Sequence, residues 1–324
     1  MSTELHPPDK VYNIEGLGGS TKLLRQYAEP ESKVWSAFNP SIAYSEEDGY
    51  ICVFRASNYV YTDQGIIRVV SGEEIYNRTY VAQFDDNMDL INVRQVKYVG
   101  KPSQPRGPED AKLYRRNGQW YFHAIIQERE HTPVQRVATF EFDFNKAEAR
   151  MIQKYESYEF HVIEKNWSVP LYEDSPHFDF VYSSTGTFKD GVISLQTGRM
   201  SKGFSRLRGG SNLWTLEDGT HLGVSHTQYR KQLKNVYIEE LQKHMDSFLR
   251  SYTHRFVRYD QRGSAIEMSQ EFVMNDFQLE FASGIHEYKD DFIISYGIND
   301  AEAHLAFLPK ETVLGMLEPM EEED

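Results

Sequence analysis

Five short polar signatures hold most of the residues that could do chemistry: Asn39-Pro40-Ser41, Glu109-Asp110-Ala111-Lys112, Glu164-Lys165-Asn166-Trp167, Arg208-Gly209-Gly210-Ser211 and Ala282-Ser283-Gly284. Each is followed by a strand-like run and a turn, and the returning run ends in a further polar group: Arg55, Gln127, Ser183, His226 and the pair Asn299-Asp300. Carboxylates, amides and bases converging on one place suit a polyhydroxylated ligand that carries an anionic group. Lysine and arginine bind phosphate by charge-assisted hydrogen bonds, while Asp, Glu and Asn fix hydroxyls. A carboxyl beside a developing oxocarbenium ion can also move the proton that glycosidic chemistry requires. Each group has a plainer reading as well. Glu109-Asp110 fits a turn that satisfies backbone amides, Glu164-Lys165 fits a surface ion pair, and Gly209-Gly210 fits a bare turn.

The elements that must position these groups are strands. Aromatic residues make up 14% of the chain, with Tyr (21) and Phe (19) far ahead of Trp (4). Short alternating runs recur, among them Tyr50-Ile51-Cys52-Val53-Phe54 and Phe292-Ile293-Ile294-Ser295-Tyr296. That pattern favours pleated, half-buried surfaces. Turns at Asp48-Gly49, Asn117-Gly118 and Asp218-Gly219 are strong hairpin signals. Signatures at 39, 110, 166, 210 and 283 are 71, 56, 44 and 73 residues apart, room for four strands and their connections each time. The expected fold is all-β, a five-bladed β-propeller in one domain over 1–324, whose inner strands bring the signatures to a central funnel. The first ~30 residues read as an extension and 317–324 as an acidic tail ending Glu321-Glu322-Glu323-Asp324.

One stretch departs from this plan. Tyr237, Leu241, Met245, Phe248 and Tyr252 lie close to helical spacing. They predict a helical insertion over 229–253 in the fourth blade, serving as packing, as a lid, or as a surface for homo-oligomers. His254-Arg255, just after it, is a candidate second anion site, and Asn299-Asp300 with Glu302 and His304 a candidate hydroxyl-binding group.

The formal net charge of −14 argues against a broad nucleic-acid surface. The local basic stretch Arg230, Lys231 and Lys234 leaves open an acceptor attached to nucleic acid. Cys52 is the lone cysteine, which excludes an internal disulfide and a cysteine-based zinc site. The histidines show no metal-ligand spacing, so no metal is expected. No glycine-rich phosphate loop is present. With no apolar run of membrane-spanning length and no basic-then-apolar leader, the reading is a soluble cytoplasmic protein.

The signatures also resemble a known family. Gly107-Pro108-Glu109-Asp110-Ala111-Lys112-Leu113, Glu164-Lys165-Asn166-Trp167, Arg208-Gly209-Gly210-Ser211, Phe281-Ala282-Ser283-Gly284-Ile285 and Ser295-Tyr296-Gly297-Ile298-Asn299-Asp300 occur in that order over roughly residues 35–308. Together they resemble the five-bladed propeller family of β-mannoside phosphorylases and hydrolases. They look closer still to the related propeller glycosyltransferases, including mannosyltransferases that use a nucleotide sugar. The resemblance implies an inverting sugar transfer in which Asp110 handles the proton, through a sugar hydroxyl in the phosphorylases. It implies that Lys165, Arg208 and His226, with Lys112, hold phosphate or the diphosphate of a nucleotide-sugar donor. Asn39, Arg55, Glu109, Glu164, Asn166, His254, Arg255 and Asp300 complete the expected substrate-binding set. The chain departs from the phosphorylases at Lys112, where they usually carry arginine. A lysine lacks the bidentate fork, which weighs against phosphorolysis. The expected activity is a glycosyltransferase, of mannose type, acting on a carbohydrate or glycosylated acceptor. A phosphorylase or hydrolase and a non-catalytic carbohydrate-binding propeller are the alternatives.

Overall fold

A computed structural model describes residues 11–24, 35–61, 67–72, 74–100, 106–127, 134–155, 165–172, 178–183, 186–195, 207–232 and 248–320. Among them the regular secondary structure is nearly all strand. The exceptions are a 3-10 turn at Glu15–Leu17 and a six-residue helix at Lys310–Gly315. None of the helices among the described residues is long and apolar enough to cross a membrane.

The strands form a succession of antiparallel meanders arranged as a β-propeller-like ring. The first sheet orders Ser36–Ser45, Gly49–Ser57, Asn77–Phe84 and Leu90–Gln95. The second orders Glu109–Arg116, Gln119–Gln127, Gln135–Asp143 and Glu148–Lys154, with Lys97–Tyr98 added in parallel at the outer edge. In the fourth, Leu207–Arg208 and Trp214–Thr215 flank His221–Gln232, which pairs with Phe248–Tyr259 and then Ala265–Met268 and Phe272–Val273. The last orders Glu280–Tyr288, Asp291–Ile298 and Glu302–Pro309.

Tight turns follow their residues. Asn117 and Gly118 (φ 50° and 71°), like Asp190 and Gly191 (φ 50° and 82°), supply the two positive φ angles of a primed hairpin turn.

The expectation of five equivalent four-stranded blades needs correction. Four sheets have four or more strands, whereas the third repeat gives only Phe180–Ser183, Gly186–Lys189 and Val192–Leu195 among the described residues. The would-be inner strand, 165–172, joins this sheet through a single bridge, Ser168 to Val181. Pro170 sits two residues further on and has no N–H to continue the ladder.

The described parts of the expected helical insertion, 229–232 and 248–253, are strand instead. Tyr229 lies in strand His221–Gln232 and Tyr252 in strand Phe248–Tyr259, paired in continuous register from His221–Tyr259 to Gln232–Phe248. Residues 233–247, which include Lys234, are outside the described residues, as are 321–324 of the acidic tail.

Described segments near both ends of the chain take part in the sheets. Tyr12–Asn13 runs parallel to Phe272–Val273, and Glu318–Pro319 pairs with Glu267–Met268, so both reinforce the fourth sheet. Ser20–Leu24 pairs with Glu302–Pro309 and forms the outer strand of the last sheet.

Apolar side chains fill the space between neighbouring sheets around the ring. Ile51, Val53 and Val81 meet Leu113, Phe122 and Phe140, and Phe180 joins through Trp167. Phe178 and Val181 pack on Leu207 and Val257, Leu222 and Phe256 pack on Ile285 and Ile294, and Ile42 and Phe54 pack on Ile293 and Leu305.

Around the axis, side chains tie the inner strands together. The Ile42 amide donates to Ser295 Oγ and the Leu113 amide to Ser41 Oγ. Asn212 donates to the Leu113 carbonyl (3.1 Å) and accepts from the Ile285 amide (2.8 Å). One buried amide thus joins three sheets, satisfying backbone groups that would otherwise be costly to bury.

Candidate active site

The polar signatures coincide with breaks in the inner-strand ladders. Register slips between Phe38 and Ser41, between Glu109 and Lys112, and between Ala282 and Gly284. At these breaks Asn39 and Asp110 adopt left-handed backbone (φ 49° and 51°), and Asn166 does so at the start of 165–172 (φ 63°). Asn and Asp tolerate that region better than other residues with a Cβ. A bulge of this kind re-aims the side chain. The recurrence of Asn and Asp in the signatures is therefore a backbone requirement as well as a chemical one. Close approach explains one adjoining glycine: a Cβ on Gly209 would stand 1.9 Å from the Asn166 carbonyl oxygen.

Two bulges bring their side chains together. Asn39 Nδ2 donates to Asp110 Oδ1 at 2.8 Å, and Arg55 Nη1 approaches the same oxygen at 3.3 Å. Arg55 also lies 3.4 Å from Glu109 Oε2 and donates through Nε to Asn77 Oδ1 (2.8 Å) and Ser57 Oγ (3.2 Å). Asn77 Nδ2 in turn reaches Glu109 Oε1 at 3.3 Å. The guanidinium lies over the rings of Phe38 (5.0 Å) and Tyr59 (5.8 Å), which meet each other edge to face. Burial works against its charge, but Glu109, Tyr59, Asp110 and Asp300 outweigh it and raise its pKa well above the ordinary value. Arg55 is therefore a buried organiser of Glu109 and Asp110, rather than the substrate ligand the sequence suggested. Asp110 Oδ2 has no hydrogen-bond partner among the described residues.

Asp300 (φ 49°) lies within electrostatic reach of Arg55, its Oδ2 accepting from Tyr59 OH at 2.6 Å. Burial raises its pKa, Arg55 and the Tyr59 bond oppose this, and the carboxylates of Asp110 and Glu109 add to it. Lys165 and Arg208 remain exposed to solvent. Surrounding protein lowers the Lys165 pKa, Asp110 pulls it back up, and Arg250 and Arg208 lower it further. Lys165, Arg208 and Arg250 thus form a cationic rim in which Lys165 is within electrostatic reach of both arginines and of Asp110.

Other expected ligands have different surroundings. Lys112 is 2% exposed and donates to the Trp167 carbonyl at 3.0 Å. Burial lowers its pKa to about 7, with Asp110 opposing. It lies beneath the site, where it cannot meet a solvated phosphate. His226, also 2% exposed, is stacked on Tyr252 (4.6 Å, 26°) and meets Phe281 edge-on (5.4 Å, 79°). Burial first, then the cations and His254 nearby, keep it neutral.

His254 is buried completely with Nε2 beside the Glu280 carbonyl (3.2 Å), and burial lowers its pKa to about 4. Arg255 is held by the Ser269 carbonyl (2.7 Å) and Glu271 (3.1 Å). The expected anion-binding pair thus consists of a buried histidine and an arginine already paired with a carboxylate. Asn166 is half-buried, and Glu164 lies outside the described residues.

Sequence reasoning missed Tyr59, Asn77, Arg250 and Tyr252. Alternation along Arg250-Ser251-Tyr252-Thr253-His254 could have shown that 250, 252 and 254 share a strand face. The helical spacing read through Phe248 and Tyr252 hid it.

No protein-family model matches the chain, and no curated protein matches it by sequence. Solved structures do match. A β-1,2-mannobiose phosphorylase from Listeria innocua superposes with a TM-score of 0.60 at 13% identity, covering 92% of this chain and 99% of its own. A GDP-Man-dependent mannosyltransferase from Leishmania mexicana gives 0.53 at 11%, covering 85% of each chain. The chain has the mannoside phosphorylase fold. A structure from the GH130 family of mannoside phosphorylases, at 13% identity and a TM-score of 0.52, shares this fold over 100% of this chain and 99% of its own. The mannoside phosphorylase fold thus spans enzymes that differ in what they do with the sugar.

Proposed function

We propose that the protein is a carbohydrate-active enzyme, an inverting glycosyltransferase that moves a sugar of mannose type from a nucleotide-sugar donor to an acceptor hydroxyl. The observation that carries this is the Asp110 carboxylate, anchored through Oδ1 by Asn39 and Arg55, beside the exposed cations Lys165 and Arg208. In this reading the acceptor oxygen attacks the anomeric carbon from the face opposite the leaving group. Its proton passes to Asp110, directly or through a neighbouring sugar hydroxyl. The bond from the anomeric carbon to the phosphate oxygen breaks, and its electron pair leaves on the diphosphate, whose charge Lys165 and Arg208 neutralise. The three-stranded sheet would count as a fifth, incomplete blade around this funnel.

Phosphorolysis is the second reading, since inorganic phosphate could use the same cations as attacking group. Lys112 favours transfer over it. Where phosphorylases usually offer an arginine fork, this chain has an ammonium tied to a backbone carbonyl underneath the site.

The test is a thermal-shift and turnover screen of nucleotide sugars, sugar 1-phosphates and phosphate, with Asp110→Asn beside the wild type. A nucleotide sugar should stabilise both proteins, and the variant should lose roughly 10²–10⁴-fold in turnover. Full turnover by Asp110→Asn would overturn the assignment. Stabilisation by phosphate and a sugar 1-phosphate alone would make the enzyme a phosphorylase.

A further inference from the structure

The fourth and last sheets together carry a pile of rings that the chemistry at Asp110 does not use. Phe281 and His226 form its buried base, and the Tyr252 ring lies nearly parallel on His226 at 4.6 Å. Tyr252 itself is half-buried and is fixed from behind by its amide, which donates to the Gln278 carbonyl at 2.9 Å. Its phenol lies within electrostatic reach of Arg250, Asp300, Arg208 and Asp110, so the pile rises at the cationic rim. Tyr61, on the ribbon Tyr59–Tyr61, stands near enough to Tyr252 and Arg250 to feel both. Its neighbour Tyr59 is held by Asp300, and the two tyrosine rings meet edge to face at 5.9 Å.

We propose that Tyr252, with Tyr61 beside it, is a stacking shelf for the base of a nucleoside diphosphate whose phosphates meet Arg208, Arg250 and Lys165. The shelf rests on the reading of this protein as a nucleotide-sugar transferase and assigns the part of the donor furthest from the reacting carbon. A base stacks best on a flat π-face that is already rigid, because ordering the platform on binding costs affinity. The His226–Tyr252 pile meets each requirement: its lower ring is buried and neutral, and its upper ring is pinned by backbone. The charge complement is also present in the right class of residue. Lys165, with Arg208 and Arg250 within its electrostatic reach, gives one lysine and two arginines for a diphosphate to pair with. A sugar 1-phosphate or inorganic phosphate would satisfy those cations and leave the shelf empty.

The experiment is isothermal titration of the purified full chain with GDP, UDP, ADP and CDP, and separately with inorganic pyrophosphate and mannose 1-phosphate. Wild type, Tyr252→Leu and Tyr252→Phe are compared. Base stacking on one aromatic ring predicts that at least one nucleoside diphosphate binds about tenfold or more tightly than pyrophosphate. Tyr252→Leu should erase that increment while leaving pyrophosphate affinity unchanged, and Tyr252→Phe, which keeps the ring, should retain it. Equal affinity of pyrophosphate and every nucleoside diphosphate in the wild type would overturn the shelf while leaving the cationic rim standing. Loss of the increment in Tyr252→Phe would also overturn it, as would a Tyr252→Leu loss confined to mannose 1-phosphate, which would make the ring a sugar platform. Failure of every phosphate compound to bind the wild type would overturn both the shelf and the transferase reading beneath it.

Discussion

Replacing Lys112 with methionine should make the protein more stable near neutral pH, contrary to the usual outcome of altering a fully buried residue. The ammonium is 2% exposed, and its donor bond goes to the Trp167 carbonyl, which His123 Nε2 also contacts at 2.7 Å. Removing the lysine therefore does not orphan that carbonyl. Burial lowers the lysine pKa from 10.5 to about 7, partly opposed by Asp110. Between these values the unfolded chain binds a proton that the folded chain does not, so wild-type stability rises with pH across that window. Over the full interval the gain is about 5 kcal/mol, at 1.36 kcal/mol per unit. Below about pH 7 both states are protonated, and the penalty of the buried charge is constant. Urea unfolding of wild type and Lys112→Met at half-unit steps from pH 6.5 to 10 measures the difference, in which every other titrating group cancels. The variant should be the more stable by a few kcal/mol at pH 7, and the two should converge toward pH 10. A difference that is flat with pH, or a variant less stable at pH 7, would refute the account of Lys112 as a strained buried charge.

Arg55→Met should cost about 3–5 kcal/mol, because it leaves Glu109, Asp110 and Asp300 grouped without their shared cation. Burial already raises the Asp300 pKa, and a group of this kind stabilises the fold below its folded pKa, losing that contribution as pH rises. The variant's deficit should therefore shrink from pH 7 to pH 5, as read by chemical denaturation; a constant deficit would count against charge as the cause. Asn39→Ala should lower both stability and turnover, since it removes the bond to Asp110 and places alanine at φ 49°. Asn39→Gly separates the two effects: melting temperature should recover by about 1 kcal/mol equivalent while turnover stays low. Recovery of both would show that Asn39 serves the backbone alone.

Local chemistry made parts of the fold readable. Asn117-Gly118 and Asp218-Gly219 mark hairpins because few residues accept positive φ, and the turns are where those pairs place them. The same constraint made the signatures visible, since Asn39, Asp110 and Asn166 all sit in left-handed backbone. Which groups meet solvent was not readable. Each bulge shifts the alternation of its strand, so period-two reasoning through Asp110 could not tell that Lys112 points into protein. Likewise Arg55 reads as a funnel ligand until the carboxylates and rings around it are located. Tyr252 was hidden by a helical spacing, whereas strand pairing opposite Gln228 holds it in Phe248–Tyr259. Among the described residues the third sheet holds three strands, and Pro170, two residues past the single bridge at Ser168, has no N–H to extend that pairing, a local fact that the even recurrence of signatures obscured.

The pairing of Ser20–Leu24 with Glu302–Pro309 has a consequence for how the chain is made. During synthesis the first four meanders can emerge and form hairpins in turn, but the early strand has no partner until residues near 309 have left the ribosome. Tyr12–Asn13 waits in the same way for Phe272–Val273. The early segment must therefore stay available through most of translation, and contacts of such long sequence separation form slowly. Asp110, whose partners Asn39 and Arg55 lie in the first sheet, can be assembled long before that last seam is sewn.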